Sequence, residues 1–123
     1  MENQTPAPLF AAQTIETMAS KEHLIAQVDR MHKAGYRLVQ ISATKKESYD
    51  LLYSFESPEG LVNLRLAVPI GDSIESISGL YPYAYLYENE IESLFGLSIL
   101  HINVDFKGAL YKTKIKTPYL QEQ

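Results

Sequence analysis

Two runs of alternating residues constrain the fold of this chain more than any other feature. Tyr49, Leu51, Tyr53 and Phe55 occupy every second position, as do Val62, Leu64, Leu66 and Val68, and the turn-forming string Ser57-Pro58-Glu59-Gly60 lies between them. A strand presents one face to a core at period two, so two such runs across a short turn predict an antiparallel hairpin with one apolar and one wet face. A sheet of that kind needs a covering layer on its apolar face.

Two stretches with helical period can supply that layer. Ser20 is a plausible N-cap for a helix from Lys21 to Ala34, with Leu24, Ile25, Val28 and Met31 at helical spacing and Gly35 as its stop. The second runs between Pro82, suited to a first helical position, and Gly96, suited to the left-handed residue that ends a helix. At 100° per residue Ala84, Tyr87, Ile91, Leu94 and Phe95 fall on one apolar stripe, and the same wheel turns Asn89, Ser93 and Leu86 away from the core. Glu88 and Glu92 flank the stripe on one side and Glu90 on the other. Glu88 and Glu90 are expected to be anchored, by backbone N–H groups or by Arg37 or Arg65. Further strands are expected at Gln13–Met18, Tyr36–Ala43 and Leu97–Ile102, with a short extended segment at Ser73–Ser78. The expectation is an α+β, two-layer domain, two main helices on one face of a largely antiparallel sheet. It spans 12–106, with a flexible N-terminal arm at 1–11 and an extended basic C-terminal tail at 107–123.

Composition removes many chemistries. With 123 residues the chain has room for one core, and with no cysteine it has neither disulfide, nor cluster ligation by Cys, nor a Cys nucleophile. His23, His32 and His101 show no close metal-ligand spacing. No stretch approaches the roughly 20 apolar residues of a membrane span, and no signal-peptide pattern opens the sequence, so a soluble intracellular chain without a span is expected. A net charge of −4 argues against nucleic acid as a partner. That charge is unevenly distributed: up to residue 106 there are seven Lys and Arg against fourteen Asp and Glu, while the remainder has four Lys against one Glu.

Motifs for catalysis are equally sparse. Glu88 and Glu92 stand one turn apart, a spacing that suits a metal or an acid–base pair, but no Glu-x-x-His pattern accompanies them. The glycine strings of nucleotide sites and of the serine-hydrolase elbow are absent, and the trio Asp72, Ser73 and His101 is of a kind any chain this long offers by chance. No catalytic, cofactor-binding or metal-binding residue is assigned. What stands out is tyrosine. Tyr81, Tyr83, Tyr85 and Tyr87 lie within seven residues and spread around more than half of a helix, so they cannot all face one core. Tyrosine combines large area with a polar tip, which suits a partner interface. The tail alternates Lys112, Lys114 and Lys116 with Thr113 and Ile115, strand-like spacing without a sequence partner, and suits the same purpose. A rival reading is a free-standing small-molecule or regulatory binding domain whose tyrosines line a pocket.

The string Tyr87-Glu88-Asn89-Glu90-Ile91-Glu92-Ser93-Leu94-Phe95-Gly96-Leu97 resembles the aromatic-Glu-Arg-Glu-x-x-Asp-x-Phe-Gly-Ile signature of the C-type subunit of respiratory complex I, the proton-translocating NADH:quinone oxidoreductase. Asn89 stands where that signature has Arg and Ser93 where it has Asp, and Leu100 to Val104 has no counterpart of the usual His-Pro-Asp-Leu-Arg-Arg segment. The variant with Asn, followed by Lys-Gly-x-x-Tyr-Lys at Lys107 to Lys112, is more similar to the homologous D-type subunit of energy-converting, membrane-bound, Ech-type nickel–iron hydrogenases. The resemblance implies a structural role for Tyr87, Glu88, Asn89, Glu90, Phe95 and Gly96. It implies a non-catalytic peripheral-arm subunit with no cofactor of its own, clamping a nickel–iron hydrogenase-like large subunit beside an iron–sulfur small subunit. The nickel–iron site and the clusters then belong to those partners. Partner contacts are expected from Tyr81, Tyr83, Tyr85, Lys107, Tyr111, Lys112, Lys114, Lys116 and Tyr119, in a complex on the inner, cytoplasmic face of the cell membrane.

Overall fold

The hairpin forms as its alternation demands. The computed structural model describes residues 13–104, which contain strands β1 (Gln13–Thr17), β2 (Arg37–Lys45), β3 (Ser48–Ser57), β4 (Gly60–Pro69), β5 (Ser73–Glu75) and β6 (Ser98–Leu100), with helices α1 (Leu24–Lys33) and α2 (Tyr85–Phe95). In the β3–β4 register Tyr49 faces Val68, Leu51 faces Leu66, Tyr53 faces Leu64 and Phe55 faces Val62. The two alternating runs therefore share one face, and all but the partly covered Val62 are buried there. The expected arm at 1–11 and tail at 107–123 lie outside the described residues.

A four-stranded sheet is ordered β1-β4-β3-β2, with β1 parallel to β4 and the other pairs antiparallel. β1 and β2 thus run the same way at opposite edges, and α1 crosses the apolar face between them, as a parallel connection requires. A second, two-stranded parallel sheet pairs β5 with β6, and α2 is the crossover between those strands. Leu24, Val28 and Met31 from α1, Ala84 and Ile91 from the second helical segment, and Ile74, Ile77, Leu97 and Ile99 around it close over the sheet. The fold is the α+β, two-layer arrangement expected, and its four-stranded sheet is largely antiparallel, with β1 parallel to β4.

Local boundaries depart from expectation in instructive ways. Both helices begin with a 3₁₀ turn, at Lys21–His23 and Pro82–Ala84. The buried side of α2 is not the one its apolar residues mark: Leu94, expected in the stripe, is 49% exposed, while Glu88 and Asn89 are buried through hydrogen bonds to Ser76, Ile77 and Val104. The expectation that Asn89 and Ser93 point away from the core is corrected; Asn89 is fully enclosed and Ser93 half-buried. Leu86 does face outward. The last expected strand shortens to Ser98–Leu100.

Gly96 ends α2 at φ 76°, and its N–H donates to Glu92 O at 2.9 Å. A Cβ built there would meet nothing nearer than the Tyr49 hydroxyl at 4.0 Å. The requirement for glycine is therefore conformational and not steric. Gly96→Ala should cost about 1 kcal/mol through left-handed strain. Gly79→Ala, at a glycine with no positive φ and open space around it, should be nearly neutral. Urea unfolding of both variants checks this, and equal midpoints would contradict it.

Candidate functional site

The motif helix α2 meets the rest of the domain on three sides, each through different chemistry. On its inner side Glu88 is 1% exposed. Its Oε1 accepts from the Ser76 hydroxyl at 2.6 Å and its Oε2 from the Ile77 N–H at 2.8 Å. The Ser76 and Ser78 hydroxyls lie 2.7 Å apart, Ser76 Oγ also accepts from the Ser78 N–H, and Ser78 Oγ accepts from the Asn103 N–H. One turn further, Glu92 Oε2 accepts from the Ile99 N–H at 3.0 Å. Carboxylates one turn apart thus supply acceptors to the segments leaving β5 and entering β6. Burial pushes the Glu88 carboxyl up to about 7, helped by the Glu92 charge and opposed by the Ser76 and Ile77 hydrogen bonds.

Along the sheet edge the tyrosines do the fastening. Tyr81, Tyr83 and Tyr87 donate their hydroxyls to the carbonyls of Tyr36, Leu38 and Val39 at 2.6, 2.9 and 2.9 Å. The register of β2 shifts between Leu38 and Gln40, where a bulge disturbs the ladder. Two phenols therefore occupy carbonyls of an edge strand at its irregular point, and the third holds the residue just before it. Tyr81 is buried, with its ring against Phe55 and His32, so the structure places it inside the fold and off the surface expected to meet a partner. Tyr83 and Tyr85 keep part of their rings accessible.

At the C-terminal end the Phe95 carbonyl accepts from the Tyr49 hydroxyl at 2.9 Å and from Lys45 Nζ at 3.5 Å. A cation there complements the negative end of the helix, which has no basic residue in its own last turn. Asn89, fully buried, donates through Nδ2 to the carbonyls of Tyr85 and Val104 at 2.8 and 2.7 Å. Glu90 behaves differently from its neighbour. It is exposed, and among the described residues it has no hydrogen bond or ion pair; Arg37 pairs with Glu56 and Arg65 with Asp50 instead. The expectation of anchoring holds for Glu88, whereas for Glu90 neither Arg37 nor Arg65 supplies it.

Other chemistry finds no focus among the described residues. No group of three or more His, Asp or Glu stands close enough to hold a metal ion, and no helix is long and apolar enough to cross a membrane. A shallow cleft of about 460 Å³ opens on the wet face of the sheet and is lined by residues including Thr17, Thr44, Lys46, Asp50 and Arg65, without a tyrosine. The Ser76–Ser78 network, the Glu92–Ile99 bond and the seating of the phenols on β2 escaped the sequence reading. Ser76 and Ser78 on either side of Ile77 were the one visible hint.

Lys107, Tyr111, Lys112, Lys114, Lys116 and Tyr119 lie outside the described residues. A family profile covers part of that stretch: the profile of the respiratory-chain NADH dehydrogenase 30 kDa subunit matches residues 17–119, most of the chain. The chain belongs to that family. Members of the 30 kDa subunit family are non-catalytic peripheral-arm subunits of complex I-like oxidoreductases and carry no cofactor. No curated protein gives a significant match. Within the 30 kDa family's domain, α2 is therefore the element whose side chains tie the two sheets together.

The Glu88 site has a definite pH signature. Its folded-state value of about 7 lies above the ordinary 4.5 of the unfolded chain, so the folded form binds the proton more tightly between those values. Stability from this group is full below pH 4.5 and is lost as pH rises through 7, a loss of about 3 kcal/mol at most. Glu88→Gln keeps an acceptor for Ile77 and cannot ionise. Urea midpoints at about pH 5 and about pH 8 should fall for the native chain and stay nearly level for the variant; parallel declines would contradict the assignment.

Proposed function

We propose that this chain is the hydrogenase-type member of its family: the D-type subunit of an energy-converting, membrane-bound nickel–iron hydrogenase. It clamps the large catalytic subunit and supports assembly of the electron-transfer arm with the iron–sulfur small subunit. The observation that carries the reading is Asn89. The position between the two motif glutamates holds a neutral amide, fully enclosed and donating to two backbone carbonyls. An amide meets those carbonyls without bringing a charge into the interior, whereas a guanidinium in the same place would have to be desolvated at considerable cost. The domain thus suits the Asn-containing variant of the motif over the Arg-containing one.

The proposed division of labour follows the chain. Residues 12–106 form the docking domain, 1–11 an arm, and 107–123 a basic tail that grips neighbouring subunits through Lys107, Tyr111, Lys112, Lys114, Lys116 and Tyr119. Tyr83 and Tyr85 add contact area from the domain. The nickel–iron site and the iron–sulfur clusters reside in the partner subunits, and the complex holds this chain at the inner face of the membrane. The pocket-domain alternative has less support, since the phenols of Tyr81, Tyr83 and Tyr87 are engaged with β2 and do not converge on a cavity.

Affinity isolation of the tagged chain from its native membranes tests the reading. The expected product is a large complex that contains nickel and evolves hydrogen from reduced ferredoxin. A nickel-free, quinone-reactive complex would assign the chain to the complex I branch, and a lone monomer would overturn the subunit role. In the same preparation, truncation after Phe106 should lower recovery of the large subunit. The full-length chain's advantage should narrow as salt screens its lysines; equal recovery at every salt concentration would exclude the tail as a grip.

A further inference from the structure

A docked helix normally turns a polar face to water. α1 does so: Lys33 and Asp29 pair across one turn at 2.9 Å, and Arg30 reaches Gln27 and Glu16. The helical segment ending in α2 does not. At 100° per residue Tyr83, Leu86, Glu90 and Leu94 share its outward side, and all are exposed, Tyr83 by 40%, Leu86 by 51% and Leu94 by 49%. No lysine, arginine or histidine occurs anywhere from Tyr81 to Gly96. The outward side is a row of large apolar groups with a single carboxylate in its middle. Three large apolar side chains exposed along one side of a helix, where charged residues are the rule, suit an interaction surface better than scattered exposed residues do.

The chemistry of the row selects its occupant. Membrane surfaces attract helices with basic residues beside their apolar ones, and this strip offers an acid in that place. A second copy of the chain is disfavoured as well. A two-fold contact centred on the strip would bring Glu90 against its own symmetry mate, since such interfaces match the same patch on both protomers. Strand addition at the adjacent end of β2 is opposed, because the Leu38 and Val39 carbonyls already accept from Tyr83 and Tyr87, and the preceding Tyr36 carbonyl from Tyr81. Glu90, with no polar partner among the described residues, offers an exposed carboxylate that a cation can pair with.

We propose that the outward row of α2, Tyr83-Leu86-Glu90-Leu94, is a docking face for another subunit, which lays an apolar segment bearing one Lys or Arg against it and pairs that cation with Glu90. The inference rests on the proposed subunit role and adds the contact surface and the chemistry of its complement. Tyr83, Leu86 and Leu94 form the apolar part of the contact, and the Glu90 pair sets its register and partner choice.

The test uses the native complex assembled in cells. A photoreactive amino acid is placed at Leu86, at Leu94 and, as a control on the polar side of α1, at Lys33. The assembled complex is irradiated and the products are identified by mass spectrometry. Leu86 and Leu94 should cross-link to one segment of another subunit, within a few residues of a Lys or Arg, and Lys33 should not reach that segment. Glu90→Lys should lower incorporation into the complex by about tenfold or more. Reversing the identified partner cation to Glu should restore it. Glu90 has no partner among the described residues, so the isolated E90K chain should keep its thermal midpoint, which separates loss of docking from loss of fold. An intact complex with no cross-link from Leu86 or Leu94, or with cross-links only to lipid or to a second copy, overturns this inference and leaves the subunit role standing. A chain that enters no complex overturns both.

Discussion

Glu88 is the interaction on which the rest of the domain depends, because it settles where the backbone hydrogen bonds of a buried crossover go. The chain between β5 and α2 passes beneath the helix, where a buried N–H without an acceptor would be costly. Glu88 supplies the acceptor for Ile77 and fixes the Ser76 hydroxyl, whose neighbour Ser78 accepts from Asn103 on the far side of β6. Glu92 does the same for Ile99 within β6. Glu88 and Glu92 therefore serve the start and the finish of one β5–α2–β6 unit. Their spacing of one turn is explained by that architecture, with no metal or acid–base reaction required.

The tyrosines extend the same logic to the larger sheet. An edge strand exposes unpaired backbone groups, and natural proteins cover or blunt such edges. Here phenols from Tyr83 and Tyr87 occupy β2 carbonyls near the bulge and that of Tyr81 the carbonyl of Tyr36 just before β2, so the helical segment is joined to the four-stranded sheet by polar contacts as well as by packing. Lys45 and Tyr49 complete the attachment at the helix C-terminus. A helix fastened through its inner side, its sheet-edge side and its end has only its outward row left to offer. In a family whose members act as peripheral-arm subunits, that row is a natural surface for assembly.

The parts of this arrangement legible in the sequence were those set by short-range periodicity. The alternation at Tyr49–Phe55 and Val62–Val68 located β3, β4 and their common face, and Gly96 marked the end of α2 with the expected left-handed dihedral. The face of α2 was misassigned at Leu94 and Asn89 because hydrophobicity alone was used to choose it. The carboxylate of Glu88 and the amide of Asn89 are buried by hydrogen bonds to residues distant in sequence, which no helical wheel records. Glu88 and Glu90 looked alike as flanking acids, yet the topology of β5 and β6 gives partners to one and leaves the other facing outward. The tyrosine excess suggests a partner interface, whereas the phenols of Tyr81, Tyr83 and Tyr87 are engaged by the carbonyls of Tyr36, Leu38 and Val39 in the same chain.

The measurement closest to the central claim is native-state hydrogen exchange at single amides, followed by NMR in the isolated chain. If buried acids of α2 hold the crossover, the Ile77 and Ile99 N–H groups should exchange as slowly as the amides of Tyr53 and Leu64 in the central hairpin, through global unfolding alone. Exchange of Ile77 at the rate of an exposed turn residue such as Gly79 would contradict the account.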